Sequence, residues 1–157
     1  MNIKLIAIGK TDNKSLQSLL EDYQKRLSFY IKFDLELIPD IKNVKNLSES
    51  QQKEKEGELI LSKIGVTDQL ILLDENGKNF SSVGFSEELQ RKMNSGIKTL
   101  VFVIGGPYGF SDFVYGKAHA KISLSPMTFS HQMVRLFFIE QLYRGFTILK
   151  NEPYHHQ

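Results

Sequence analysis

The residues best suited to chemistry fall in two loops and one helix. Gly105-Gly106-Pro107-Tyr108-Gly109 follows directly on Leu100 to Ile104, an unbroken apolar run of β-branched and aromatic residues that suits a strand covered on both faces. Backbone freed of side chains at the carboxyl end of such a strand lets a ligand approach closely. The second loop lies within SLSPMTFSHQMVR, from Ser123, and again brings small and polar residues together with a proline. It can offer N–H and C=O groups to the edge of an adenine, with Met127 and Phe129 as apolar walls. Ser130 ahead of His131 also reads as an ordinary capped helix start. Farther along, Arg144 and Lys150 stand close in sequence to Tyr143 and Tyr154. These types pair with phosphate and stack on bases, and equally serve a solvated surface.

Several common chemistries are excluded by spacing. A P-loop needs a Lys and a Ser or Thr after its last glycine; GGPYG has neither, and Pro107 removes a backbone donor. The first strand ends at Gly9-Lys10-Thr11, which is not a dinucleotide-binding glycine turn. Histidines occur at 119, 131, 155 and 156, and none has a partner at a dependable metal-ligand spacing. No Ser-His-Asp order or G-x-S-x-G elbow is present.

The elements that must carry these loops alternate along the chain. Ile3 to Ile8 reads as a strand, Lys14 to Tyr30 as a helix with apolar residues at helical spacing, and Phe33 to Ile38 as a strand stopped by Pro39. A capping box at Ser48 and Gln51 opens a charged helix reaching Ile64. Its Lys53 to Glu56 stretch reads as a solvated face, with Leu59, Ile60, Leu61 and Ile64 turned to the core. Gln69 to Leu73 is a strand, Asp74 to Lys78 a strand-to-helix loop, and Ser81 to Met93 a helix. Strand 99–104, a short helix from Ser111 to Lys117, strand Ala120 to Leu124 and a helix from about His131 to Leu149 complete the series. This alternation predicts an α/β layer with a largely parallel sheet flanked by helices. The last helix is apolar nearly all round, which predicts burial on several sides, including a homodimer interface.

The chain has 157 residues, enough for one domain with a real core, and no cysteine. The apolar run at its start is short for a signal peptide and no stretch has the length of a membrane span, so a cytoplasmic protein with neither membrane nor metal partners is expected. Twenty basic against eighteen acidic residues give a net charge of +2, which announces no global field for nucleic acid.

Taken together, LLDENGK, FVIGGPYGF, ISLSPMTFSHQMVR, EQLYRGF and the terminal PYHHQ resemble, end to end, the small SPOUT-class methyltransferases that N3-methylate a pseudouridine of large-subunit ribosomal RNA. The resemblance implies one homodimeric domain, 1–157, with a deep trefoil knot over about 70–157. It implies S-adenosylmethionine held by Leu73, Gly105 and the loop Leu124, Ser125, Pro126, Met127, Thr128 and Phe129. Arg144 would contact phosphate or the imide, while His131, Tyr154 and His155 position the base or handle its proton. Gln132 stands where some members of that family have proline. With so little net charge and no appended RNA-binding domain, the assembled ribosome is a better substrate expectation than naked RNA. A ribosome-docking module without methyl transfer, and a methyltransferase of another RNA or a small molecule, are the competing readings.

Overall fold

The computed structural model describes residues 1–156. Its five strands are β1 (Asn2–Ile8), β2 (Lys32–Ile38), β3 (Gln69–Asn79), β4 (Thr99–Ile104) and β5 (Ala120–Ser123). They form one sheet in the order β2-β1-β4-β3-β5, and every pairing is parallel. The α-helices are α1 (Lys14–Leu27), α2 (Glu49–Leu61), α3 (Ser82–Asn94), α4 (Asp112–Lys117) and α5 (Met133–Leu149). The expected α/β layer with a parallel sheet is what the chain forms.

Alternate residues of each central strand serve opposite cores. Leu100, Phe102 and Ile104 of β4 pack with Leu16 and Leu20 of α1, Phe85 and Leu89 of α3, and Phe138, Ile139 and Leu142 of α5. Val101 and Val103 face the other way, onto Ile60 of α2 and Val114 of α4. Each such fully buried side chain is worth about 1.5–3 kcal/mol relative to exposure. The Phe102 and Phe138 rings meet at 4.7 Å, placing α5 directly over the sheet centre. Both sides of β4 are thereby immobilised, so the loop that leaves it starts from a rigid point.

Four local expectations need correction. Asp74 to Lys78 is not a simple loop into a helix. Leu73 and Lys78 both pair with Ile122 of β5, so residues 74–77 bulge out and the strand then resumes. Gly77 is required at the return, because a Cβ there would lie 2.5 Å from the Ile122 carbonyl carbon and 2.6 Å from its nitrogen. On α2, Ile60 is buried and Leu61 and Ile64 pack against the core as expected, but Glu56 is buried and Leu59 is 40% exposed, each opposite to expectation. The helix is oriented by Gly57, whose bare backbone fits against Ser111 and Val114 of α4. α1 stops at Leu27, short of Tyr30, with Ser28 as its C-cap. α5 begins at Met133, not His131, with Gln132 rather than Ser130 as its N-cap, although Ser130 Oγ does accept from Met133 N at 3.1 Å.

Candidate functional site

The ends of β4 and β5 lie beside the point where β3 bulges after Leu73, and the segments leaving these places enclose a cleft of about 680 Å³. Its walls come from Leu73 to Asn76, Ile104 to Phe110, Ile122 to Ser125, and Met127 to His131, with Tyr115 and Val134. Such a position, beyond the carboxyl ends of parallel strands, is where open α/β sheets bind ligands.

The glycine segment is shaped by a β-turn. Gly109 N donates to Gly106 O at 3.1 Å, with Pro107 at the second position where its fixed φ is suited, and Gly109 at φ 78°. Gly105 is packed from below by the Phe110 ring, which a Cβ would meet at 3.1 Å. The second loop is held by its serines: Ser123 Oγ donates to Ser125 O at 3.0 Å, and Met127 N donates to Ser125 Oγ at 3.0 Å. Met127 itself is 76% exposed. Asp74 ties the bulge to α4, since Tyr115 OH donates to its Oδ2 and Asn76 N donates to Oδ1 at 2.8 Å. Burial and that carboxylate push the Tyr115 hydroxyl up to about 12.

Leu73, Gly105, Leu124, Ser125, Met127, Thr128 and Phe129 all line this cleft. Pro126 lies exposed between two lining residues. His131 is also on the cleft wall. The other three residues expected to do chemistry gather elsewhere, around Glu140 on α5. Glu140 Oε1 accepts from Arg144 Nε at 3.0 Å, Arg144 Nη2 at 2.5 Å and Tyr154 OH at 3.0 Å. Arg144 Nη1 donates to His155 Nδ1 at 3.2 Å, which leaves the imidazole proton on Nε2. The Arg144 guanidinium also lies 4.8 Å from the centre of the Tyr154 ring.

This tail cluster is anchored by aromatics from both α1 and α5. Tyr154 packs on Tyr143 with centroids 4.7 Å apart, and its hydroxyl shares a 3.2 Å hydrogen bond with that of Tyr23. Glu140 keeps Arg144 charged, raising its guanidinium further above its usual value. Burial, then the bonds to Tyr23 and Glu140, push the Tyr154 hydroxyl well above an ordinary tyrosine. In this cluster Arg144 donates to Glu140 and His155, and Tyr154 to Glu140.

A smaller cleft of about 380 Å³ lies between the two groups. It is lined by Phe80, Phe85, Phe137, Glu140 and Gln141, and shares Ile122 to Leu124 and Phe129 with the larger one. Phe129 and Phe137 pack with centroids 4.9 Å apart and remain 37% and 39% exposed.

Four residues important to this architecture escaped the sequence reading. Arg135 is completely buried and donates to Ile8 O at 2.7 Å and Thr11 Oγ1 at 2.9 Å, clamping α5 to the end of β1. A single charge within the apolar stretch from Met133 to Ile139 was the available signal. Glu140 and Asp74 carried none beyond their charge, because their partners come from distant segments, and Glu56 was disguised by the charge run around it. His119 is structural: its Nδ1 accepts from Leu70 N at 3.0 Å. Among the described residues, no three His, Cys, Asp or Glu side chains gather as a metal site. No described helix is long and apolar enough to cross a membrane.

Comparison with known proteins shows what the whole chain is similar to. The family model described as "Predicted SPOUT methyltransferase" matches residues 1–155. A protein of Flavobacterium johnsoniae named "Ribosomal RNA large subunit methyltransferase H" is 87% identical over 157 residues, covering all of both chains. Its namesake from Flavobacterium psychrophilum is likewise 87% identical over the full length of both. Among solved structures, the SpoU methyltransferase AviRb of Streptomyces viridochromogenes, in complex with AdoMet, aligns with a TM-score of 0.47 at 10% identity, over 91% of this chain and 57% of that one.

Proposed function

The chain belongs to the SPOUT methyltransferase family, and from that premise we propose that it transfers a methyl group from S-adenosylmethionine to N3 of a pseudouridine in large-subunit ribosomal RNA. The observation that carries this reading is the cleft at the ends of β4 and β5 and the bulge of β3, lined by almost every residue expected to hold the cofactor. Its chemistry suits an adenosine bearing a positive sulfonium. Gly105 presents bare backbone, Leu73 and Ile104 give apolar surface, and Asp74 and Glu75 bring carboxylates to the same cleft.

When bound, S-adenosylmethionine supplies an already activated methyl group, so the protein must align the acceptor nitrogen and handle its imide proton. Arg144, held charged by Glu140, is suited to a phosphate or to the developing negative charge of the imide. Tyr154, held protonated, donates a hydrogen bond and packs against Arg144. His131 on the cleft wall is suited to position the base or handle its proton, whereas His155, its Nδ1 taken by Arg144, is suited to positioning.

These four residues fall in two groups within one chain, and a homodimer in which the tail of one protomer serves its partner's cleft unites them in this reading. The exposed apolar side chains of Phe129, Met133 and Phe137, contiguous with the smaller cleft, support such an interface. A deep trefoil knot over about 70–157, action on the assembled ribosome and a cytoplasmic location belong to the same proposal.

The test is transfer of radiolabelled methyl from S-adenosylmethionine to ribosomes, isolated subunits, deproteinised ribosomal RNA and transfer RNA, side by side. Label confined to large-subunit RNA of the assembled ribosome is expected. Cofactor binding without label anywhere would replace the enzyme by a docking module, and label in transfer RNA would reassign the substrate.

A further inference from the structure

Glu56 lies on α2, outside both the cleft and the tail cluster, and is 3% exposed. Its Oε1 accepts from Gln52 Nε2 at 3.0 Å, whereas its Oε2 is buried without a partner among the described residues. Both oxygens sit against Gly106: a Cβ on that glycine would collide with Oε2 and lie 2.7 Å from Oε1. The next residue, Gly57, backs the far end of the same segment, where a Cβ would come within 2.8 Å of Ser111 Oγ and of Val114 Cγ2. Two consecutive residues of α2 thus back the two ends of the stretch from Gly106 to Ser111, of which Gly106 to Phe110 line the cleft. Burial, opposed by the Gln52 hydrogen bond and reinforced by the charge of Asp40, pushes the Glu56 carboxyl up from its usual value. A buried polar group at such a place needs a role, because an apolar side chain would fill the space without the cost of desolvation.

We propose that Glu56 is a positioning residue for the cofactor site: packed behind Gly106, its carboxyl sets where the glycine-loop backbone meets the ligand. The consequence for binding rests on the cofactor reading above, whereas the order of the loop is a property of the chain alone. Two readouts separate them: amide hydrogen exchange of residues 105–110 in the ligand-free protein, and S-adenosylmethionine affinity by calorimetry. In E56A, exchange in this segment is expected to quicken roughly tenfold and affinity to fall roughly tenfold, while E56Q, equal in size and uncharged, stays within about twofold of the parent in both. G106A is expected to weaken binding by a similar factor, and the double variant G106A/E56A to regain at least about threefold, because the added methyl no longer meets the carboxyl. Parental exchange in E56A, an E56Q as loose as E56A, or a double variant no better than G106A would each overturn the assignment. Should E56A be too unstable to measure, G106A decides, parental exchange there overturning the proposal. A loosened loop in E56A from a parent that binds no S-adenosylmethionine would sustain the positioning role and sink the cofactor reading.

Discussion

Around the cleft, the groups offered to a ligand are largely backbone, delivered by strands whose other residues are buried in the sheet. Leu73, Gly105 and Leu124 lie where they do because β4 and β5 end beside the start of the β3 bulge, with Leu73 paired to both Ile104 and Ile122. Around Arg144, by contrast, the geometry is made of side chains from α1, α5 and the tail, and Glu140 is its hub. A site built of strand ends tolerates change in exposed side chains and fails when backbone is displaced. A site built of side-chain hydrogen bonds fails when one partner is removed, since charged partners left behind are costly.

That contrast predicts separable defects. The largest is expected in R144A: methyl transfer falling by about 100-fold or more, with cofactor affinity within twofold, since the guanidinium belongs to the tail cluster. Equal loss of both in calorimetry and turnover assays would show the two regions acting as one. Next is G77A, whose Cβ is driven into the Ile122 backbone. It should lower stability by about 2 kcal/mol in denaturant titrations and weaken cofactor binding, with the aromatic packing of Tyr154 on Tyr143 unchanged in near-ultraviolet spectra. E140Q sharpens the other half. Replacing the carboxylate that receives Arg144 and Tyr154 should cost roughly tenfold in kcat and leave cofactor affinity alone. An unchanged kcat would remove Glu140 as the hub.

The smallest effect concerns alkaline pH. Tyr115, raised from its ordinary 10.0 to about 12 by burial and by Asp74, contributes stability that is complete below pH 10 and disappears as pH climbs through 12. Y115F should therefore flatten the loss of stability across that window, followed by thermal melts at stepped pH. A residual slope is expected from Tyr30, raised to about 12 by its bond to Glu152. If Y115F melts with the parental pH dependence, the Asp74 tether contributes nothing to the cleft.

Much of the cleft was legible beforehand because the features that build it are local. An apolar run followed by glycines is a strand end followed by a tight turn, whatever lies around it, and GGPYG forms that turn. The serine-rich loop and the Ser48 cap were equally local, the Ser48 side chain meeting a backbone group three residues on. The tail cluster was legible only as a set of residue types. Nothing in the spacing of Tyr23, Glu140 and Tyr154 announces that they share hydrogen bonds, since the first and last are separated by most of the chain.

What the sequence determined by itself is the order and kind of the elements and the parallel sheet they make, because side-chain periodicity and turn chemistry act over a few residues. Tertiary structure decided which way each face points. Glu56 lies in a charged run and is buried; Leu59 looks like core and is exposed. Gly57 settles the matter by letting α4 approach where a side chain would stand, and that approach turns α2 about its axis. The bulge at residues 74–77 has the same origin: Asn76-Gly77 permits a turn, but the return to Ile122 exists only because β5 lies alongside to pair with Lys78.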